Sequence, residues 1–325
     1  MEVRLIRETG VELHPVEALP GLLEGDGVVW VDVPRCDEQA VRLLTQVFGC
    51  HPLAVHDCVE RNPVPKLQVY AAQVLVVLHS PERGEAGHVH YVELDQLVGA
   101  NYLVTVHGPL NAAVDPDLAL IETASVARRL DAGRLRPATS YALSYAVCTA
   151  VANRMRDSLA TLTSEGWALE RRVTAAQVGD AELFLEEMFR NRHGLLALRT
   201  MSALSREVFG RAATVRAYGT AGQGVLEDAV DQFTRIATMA DGQREYLQGV
   251  IEFQQARTNT KIAIAAERLA VIAAVTLPIT ALSSVLGMNI IVNSATDPVL
   301  VAVVIAVMVA MSTTLLVWSK RKGWW

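Results

Sequence analysis

The chain has 325 residues, of which 51% are hydrophobic, and carries a formal net charge of −6 at pH 7. This length suffices for two domains. The basic residues do not gather into a patch of the kind that binds nucleic acid, no nucleophile–base pattern indicates an enzyme, and no Walker A sequence indicates ATP binding. The composition therefore favours neither a nucleic-acid-binding protein nor an enzyme, and we expect no organic cofactor.

The first region, residues 1–136, is predicted to be an α/β domain, because short β-rich runs alternate there with turns and helical stretches. Ten of the twelve prolines lie at or before Pro137. The N-terminal sequence MEVRLIRETG has no signal-peptide pattern, so we expect a cytosolic domain with four reduced cysteines. The predicted strands are Val28–Val33, Leu67–Leu78, His88–Leu94 and Tyr102–Val106, and the predicted helices are Asp37–Phe48 and Pro116–Leu130.

The second region, residues 137–266, is predicted to be a helical stalk. One helix covers Tyr141–Val173, and Asp180 is placed to cap the N-terminus of a second helix that runs to about residue 218. The glycine-rich stretch Gly219–Gly224 predicts a break, after which a third helix continues from Val225 to Met288. An unbroken helix of about 64 residues extends roughly 100 Å, which is too long for a compact globule, so we expect it to pack on other chains.

The third region, residues 267–325, contains two apolar runs without charge, Leu269–Met288 and Val299–Trp318. Each has twenty residues, enough to cross a hydrocarbon core of about 30 Å as a helix. The sequence therefore predicts a hairpin in the inner or plasma membrane. Basic residues flank its two outer ends, whereas the connecting loop carries only Asp297, so the positive-inside rule places both termini in the cytoplasm. These basic residues are Arg257, Lys261, Arg268, Lys320, Arg321 and Lys322.

One face of the first apolar run carries small and hydroxyl residues at helical spacing. Such a stripe either lets helices approach closely in lipid or forms the wall of a narrow pore, and composition by itself favours close packing. A chain with two spans cannot enclose a hole, so a pore would require a homo-oligomer. The stripe consists of Ala273, Thr276, Leu277, Thr280, Ser284, Gly287 and Met288.

Two further clusters contain possible metal ligands. Cys50, His51, His56 and Cys58 are zinc-type ligands, but their spacing is not that of a standard finger, and packing at the start of a helix is the favoured interpretation. Acidic residues of the stalk form either a solvated helix face or a site where Mg²⁺ bridges neighbouring subunits. These acids are Glu227, Asp228, Asp231, Asp241, Glu245 and Glu252.

Four stretches of the sequence together resemble the CorA family of magnesium channels, and the similarity covers nearly the whole chain. Gly287-Met288-Asn289 ends the first apolar run, and Thr276-Leu277-Pro278 lies inside it. The stretch His51-Pro52-Leu53-Ala54 is followed by Asp57, Pro65-Lys66 and Tyr70. The fourth stretch is the basic tail that ends in two tryptophans, Lys320–Trp325.

The resemblance implies a funnel-shaped homopentamer in which the stalk helix continues as the pore-lining span. It implies that Asn289 is the selectivity filter, with Gly287 and Met288 shaping its backbone, and that Leu269 and Leu277 lie at a hydrophobic gate. Thr280 corresponds to a polar pore ring, and Ala273 and Ser284 complete the predicted pore lining. Asp228 corresponds to an acid that binds regulatory Mg²⁺ between subunits, and Glu82 and Glu85 are candidates for its partners.

The function implied by the resemblance is passage of hydrated Mg²⁺, with Co²⁺ and Ni²⁺ as secondary ions, under control of cytosolic Mg²⁺. Leu286 stands where the family usually has tyrosine, and the loop after Asn289 is short and carries one acid, Asp297. One alternative is a ZntB-like importer of Zn²⁺, whose filter usually reads Gly-Ile-Asn and not Gly-Met-Asn. The other is a membrane-anchored scaffold or metal sensor that does not conduct.

Overall fold

The structure is a computed structural model that describes residues 1–84, 87–109, 111–212, 219–289 and 298–322. For residues 219–223, 285–289, 298 and 300 it describes the backbone alone. The chain divides into two compact units, Met1–Gln248 and Gly249–Trp325.

The first unit is built on a sheet of seven strands in the order β2-β1-β3-β7-β6-β5-β4. Strands β3 and β7 are parallel, and the other neighbouring pairs are antiparallel. Strand β3, with the sequence VVWVDV, is buried along nearly all its length, as expected of an apolar strand covered on both faces. The strands are β1 (Glu2–Arg7), β2 (Gly10–His14), β3 (Val28–Val33), β4 (Lys66–Val69), β5 (Val74–Arg83), β6 (Val89–Val98) and β7 (Tyr102–His107).

Helices pack against the sheet and close its core. Three short helices, α1 (Leu19–Leu23), α2 (Glu38–Arg42) and α3 (Pro52–Val59), contribute apolar side chains to one cluster with the strands. A π-helical turn, Leu43–Val47, extends α2. The short helices α4 (Pro116–Ala119) and α5 (Ile121–Asp131) follow the last strand. The longer helices α6 (Ser140–Thr174) and α7 (Ala181–Ala212) also contact the sheet.

The close approach of α6 and α7 depends on a glycine. A Cβ at Gly194 of α7 would lie 2.8 Å from Cδ2 of Leu162 on α6, which is too short for two carbon atoms. Asp180 caps the N-terminus of α7, because its Oδ1 accepts hydrogen bonds from the backbone N–H of Glu182 at 2.8 Å and of Leu183 at 3.1 Å. The predicted cap is therefore confirmed.

A buried acid lies inside the sheet. Asp95 on β6 is fully buried, and its carboxyl group lies beside that of Glu93. Burial first, and then the negative charge of Glu93 two residues away on the same strand, raise the pKa of Asp95 well above its ordinary value. Burial therefore favours the neutral form of Asp95 in the folded protein.

The strand predictions are correct for β3 and largely for β7 and β6, but two differences have physical causes. The predicted run Leu67–Leu78 is two antiparallel strands, because the chain reverses where the N–H of Tyr70 donates to the carbonyl of Gln73 at 2.8 Å. The hairpin of β1 and β2 was not predicted. Its second strand is mostly exposed and so shows little apolar alternation.

Helix α8 runs from Gly219 to Asn289 and contributes to both units. The predicted break at Gly219–Gly224 is wrong, because the backbone is already helical there. A glycine costs a helix only about 1 kcal/mol relative to alanine, and a helix as long as α8 has many other residues to offset that cost.

The second unit contains the C-terminal part of α8 and helix α9 (Pro298–Arg321). Among the described residues, two helices are long and apolar enough to cross a membrane, Gly224–Ser284 and Val301–Arg321. Only 6% and 0% of their most apolar stretches are buried. A core helix of a soluble protein would be mostly buried, so this exposure favours membrane spans over a soluble helical pair.

Candidate functional site

The predicted pore residues share one face of α8 and are exposed in the single chain. Leu269 is 67% exposed and Leu277 is 66% exposed, which is unusual for leucine in the absence of lipid or partner chains. Ala273, Thr280 and Ser284 are exposed as well. Their spacing of three or four residues keeps them in one stripe. The structure therefore presents the stripe as a free helix face that other copies of the chain can complete.

The hydroxyl groups along this stripe bond to their own helix. Thr280 donates from Oγ1 to the carbonyl of Thr276 at 2.9 Å, and Thr276 donates in the same way to Ile272 at 2.9 Å. Since each hydroxyl has one hydrogen, its oxygen retains only acceptor capacity toward the outside. A ring of such oxygens suits a cation or the water molecules of a hydrated cation. Pro278 lies inside this segment without ending the helix.

The predicted filter lies at the last residues of α8. The backbone of Gly287, Met288 and Asn289 is helical, so α8 reaches the amide residue predicted to form the filter. Their side chains lie outside the described residues, and so does the following loop with Asp297. Their part in selectivity stays a prediction.

Asp228, the predicted regulatory acid, forms a polar cluster with α6. Its Oδ2 accepts hydrogen bonds from the hydroxyl of Tyr145 and, at 2.7 Å, from Nε2 of Gln232. Gln232 also donates to the hydroxyl of Tyr145 at 3.0 Å. The Tyr145 bond first and the Gln232 bond second lower the pKa of Asp228, and Arg235 and Arg156 add to the effect. Asp228 is an exposed carboxylate that neighbouring donors hold in its charged form.

Neither Tyr145 nor Gln232 was among the predicted site residues. Tyr145 lies 83 residues before Asp228 in the sequence, so no local pattern connects the two. Gln232 lies four residues after Asp228, at the spacing that brings side chains together on a helix. That spacing was the signal available in the sequence.

Glu82, the predicted partner of Asp228, is committed to an arginine. Its Oε2 accepts from Nη2 of Arg154 at 2.6 Å. Nη1 of the same arginine donates to Oε1 of buried Glu122 at 3.0 Å and to the carbonyl of Leu118 at 2.8 Å. Glu85 lies outside the described residues. Glu82 therefore has a compensated charge in the single chain.

A complete metal site is not formed within the described part of the chain. No three histidine, cysteine, aspartate or glutamate side chains in it group closely enough to hold a metal ion. The cysteines near His51 belong to no such group, and burial raises the pKa of Cys50 to about 12 and that of Cys58 well above its ordinary value. Both thiols keep their protons at neutral pH.

The stretch around His51 has a structural role, as the sequence analysis favoured. Nδ1 of His51 accepts from the N–H of Leu53 at 3.2 Å and caps α3. Its ring stacks on Tyr70 with the centroids 4.6 Å apart. Lys66 forms an ion pair with Asp57 at 2.7 Å. These contacts tie α3 to strand β4 and explain why the motif combines these residue types.

Comparisons with solved structures show the same fold in three proteins. The complete structure of the CorA magnesium transporter from Methanocaldococcus jannaschii matches with a TM-score of 0.80 and 15% identity, over 100% of this chain and 98% of that chain. The full-length CmaX protein matches with a TM-score of 0.77 and 18% identity, over the same shares. The ZntB cytoplasmic domain from Vibrio parahaemolyticus matches with a TM-score of 0.61 and 10% identity, over 81% of this chain and 98% of that domain.

The sequence itself identifies the family. No curated protein matches the chain. The sequence model of the family described as "CorA-like Mg2+ transporter protein" matches residues 25–321, which is nearly the whole chain. The chain therefore belongs to the CorA-like Mg²⁺ transporter family, whose members are membrane transporters of divalent cations and not enzymes.

Proposed function

We propose that the chain assembles into a homopentameric channel that admits hydrated Mg²⁺ to the cytoplasm. The observation that carries this proposal is the exposed stripe of α8, which presents both apolar and hydroxyl residues on one face. Copies arranged around an axis would turn each position into a ring. Leu269 and Leu277 would form the hydrophobic gate, and Ala273, Thr280 and Ser284 the rest of the lining.

The filter chemistry is argued from Asn289. Mg²⁺ gives up its water shell reluctantly, and a ring of amide oxygens accepts hydrogen bonds from that shell without removing it. An amide is neutral, so it does not trap the ion, as conduction requires. Gly287 and Met288, which directly precede Asn289, would shape the backbone of the filter. Co²⁺ and Ni²⁺, which carry the same charge, are the secondary ions of the proposal.

The direction of transport follows from the charges that flank the spans. If Lys320, Arg321 and Lys322 lie in the cytoplasm, the large first unit does as well. An entering divalent cation then gains about 4.6 kcal/mol per 100 mV of inside-negative potential, from about 2.3 per charge. No other energy source is needed.

Closure of the channel is proposed to depend on Asp228. Its exposed carboxylate has one oxygen occupied by Tyr145 and Gln232, which leaves the other oxygen available to a hydrated Mg²⁺. Because the described part of a single chain holds no complete metal site, the remaining ligands would come from a neighbouring copy. Glu82 and Glu85 are the candidates named by the sequence, and Glu82 would have to leave Arg154.

The test is ion flux into proteoliposomes with entrapped dyes for Mg²⁺ and Zn²⁺ under an inside-negative potential. We expect Mg²⁺ entry in the unaltered protein and its loss, or a loss of selectivity, in Asn289→Ala. Thr280→Val should slow entry, whereas Thr313→Val should not. Thr313 on α9 makes the same hydroxyl bond to its own helix, at 2.6 Å to the carbonyl of Val309, and is therefore a matched control.

Other results would contradict the proposal in identifiable ways. Entry of Zn²⁺ alone would indicate a zinc importer of the ZntB kind. Absence of flux of either ion through assembled oligomers would indicate a scaffold or sensor. Equal slowing by Thr280→Val and Thr313→Val would remove α8 as the pore wall.

A further inference from the structure

A groove in the second unit lies between α8 and α9. Its cavity has a volume of about 560 Å³ and is lined by Val271, Ile272, Val275 and Thr276 of α8 and by Leu316 of α9. Arg268 completes the lining at one end. The groove thus combines an apolar wall long enough for part of an acyl chain with a single guanidinium group.

The two helices run antiparallel, which places further basic residues near Arg268. Oγ of Ser283 lies 4.0 Å from Sδ of Met308, whereas Leu316, later in α9, lines the groove with Val271, earlier in α8. Moving toward the start of α8 therefore means moving toward the end of α9. Arg268 and the stretch Lys320–Lys322 consequently lie at the same end of the helix pair.

The guanidinium group of Arg268 is not neutralised within the described residues. Arg268 is exposed, and no carboxylate of the described chain forms an ion pair with it. A cation at the end of an apolar surface between two membrane helices is complementary to an anionic phospholipid, which offers a phosphate next to its acyl chains. A free anion would use the charge but not the apolar wall.

The groove is centred on the face of α8 opposite Leu277, and Thr276 lies at the boundary between the groove and the pore stripe. Arg268 and Leu277 are nine residues apart, which is about two and a half helical turns, so they lie on opposite faces of α8. Ile272 and Val275 lie closer to the Arg268 face. If Leu277 faces the axis of the assembly, this groove faces the bilayer, where lipid is the surrounding molecule.

We propose that this groove binds an anionic phospholipid, with the phosphate at Arg268 and an acyl chain against Val271, Ile272 and Leu316. The site rests on insertion of the two helices into a membrane and, for its orientation, on the pore face proposed above. It does not depend on which ion is transported. Bound lipid would fasten α9 to the outer face of α8.

The experiment is native mass spectrometry of the full-length oligomer after incubation with phosphatidylglycerol or phosphatidylcholine of identical acyl chains. We expect retention of phosphatidylglycerol in preference to phosphatidylcholine. Arg268→Gln should weaken phosphatidylglycerol binding about fivefold, which corresponds to about 1 kcal/mol for a basic residue at the membrane surface. Val275→Trp, which fills the groove, should weaken binding of the same lipid. Arg206→Gln removes an equal charge from an exposed position of α7 and should leave retention unchanged.

Three results would overturn the proposal. Equal retention of both lipids would mean that the headgroup is not recognised. An unchanged preference in Arg268→Gln would place the lipid elsewhere, for example at the basic tail. The third result has two parts: the unaltered protein retains no lipid, and Val275→Trp makes the oligomer dissociate. Together they would show that a second copy of the chain fills the groove. Because lipid retention is read without ion flux, these outcomes are separable from a failure of the channel proposal.

Discussion

Substitution of Arg154 by methionine should destabilise the first unit strongly, because it removes the only described cationic partner of a buried carboxylate. The side chain of Arg154 is 10% exposed, that of Glu122 is 1% exposed and that of Glu82 is 25% exposed. Methionine retains an apolar stem of similar length but none of the donors. Glu122 would keep the hydrogen bond from the hydroxyl of Ser80 and lose its two contacts with Arg154.

The magnitude follows from the burial of the pair. Removing one partner of a buried ion pair costs about 3–5 kcal/mol, since the other charge is left without compensation. At about 2–4 °C per kcal/mol for a unit of this size, the melting temperature should fall by about 6–20 °C. The measurement is a thermal melt of the purified full-length oligomer, compared between variants at one scan rate.

An exposed ion pair in the same unit supplies the control. Arg83 binds Glu165 through two hydrogen bonds of 2.6 Å, with side chains 54% and 39% exposed. Solvent screens such a pair, so Arg83→Met should cost less than about 1 kcal/mol. Addition of Glu122→Gln to Arg154→Met should restore part of the lost stability. The reasoning is refuted if both arginine variants melt together, or if Glu122→Gln restores nothing.

Three further predictions concern titration and metal response. Asp95→Asn should stabilise the protein relative to the unaltered chain, and more so at pH 8 than at pH 5. The pKa of Asp95 is raised by folding, so above about pH 4 the unfolded state releases a proton that the folded state keeps, and stability falls as the pH rises. If the two proteins differ in melting temperature by the same amount at both pH values, the prediction is wrong. Asp228→Asn should raise the Mg²⁺ concentration needed to stop flux in proteoliposomes. Tyr145→Phe frees Oδ2 of Asp228 from one donor and should lower that concentration. If the concentration is unchanged in both variants, the cluster of Asp228 and Tyr145 does not regulate the channel. Glu82→Gln should lower the melting temperature through loss of its Arg154 ion pair, and a change in the Mg²⁺ concentration for closure as well would assign Glu82 a role as a metal ligand.

Several features of the fold were predictable because their causes are local. Strand β3 has five apolar residues among its six and is buried along nearly all its length. Asp180 is a capping residue directly before a helix. The glycine-rich start of α8 was wrongly predicted to be a break, because its conformation depends on the residues that follow it. Local propensity at Gly219–Gly224 disfavours a helix only weakly, and the residues that follow extend it.

The candidate regulatory cluster was only partly predictable. Asp228 was found through the family resemblance, but its neighbour Tyr145 comes from another helix, 83 residues away. The ion pair between Glu82 and Arg154 joins residues 72 apart. Such pairs depend on how α6 packs against the sheet and α8, and a single sequence carries no periodic signal of that packing.

By itself, the sequence determined the two membrane helices and the stripe along α8, because hydropathy and helical period are properties of consecutive residues. It also determined the family, through short motifs spread over the chain. Tertiary structure alone decided which charges are compensated. Arg154 neutralises Glu82 and Glu122, donors orient Asp228, and Arg268 is left without an acidic partner in the described chain. The physical reason is that the energy of a charge depends on its burial and on its neighbours in space, and both are set only when distant segments meet.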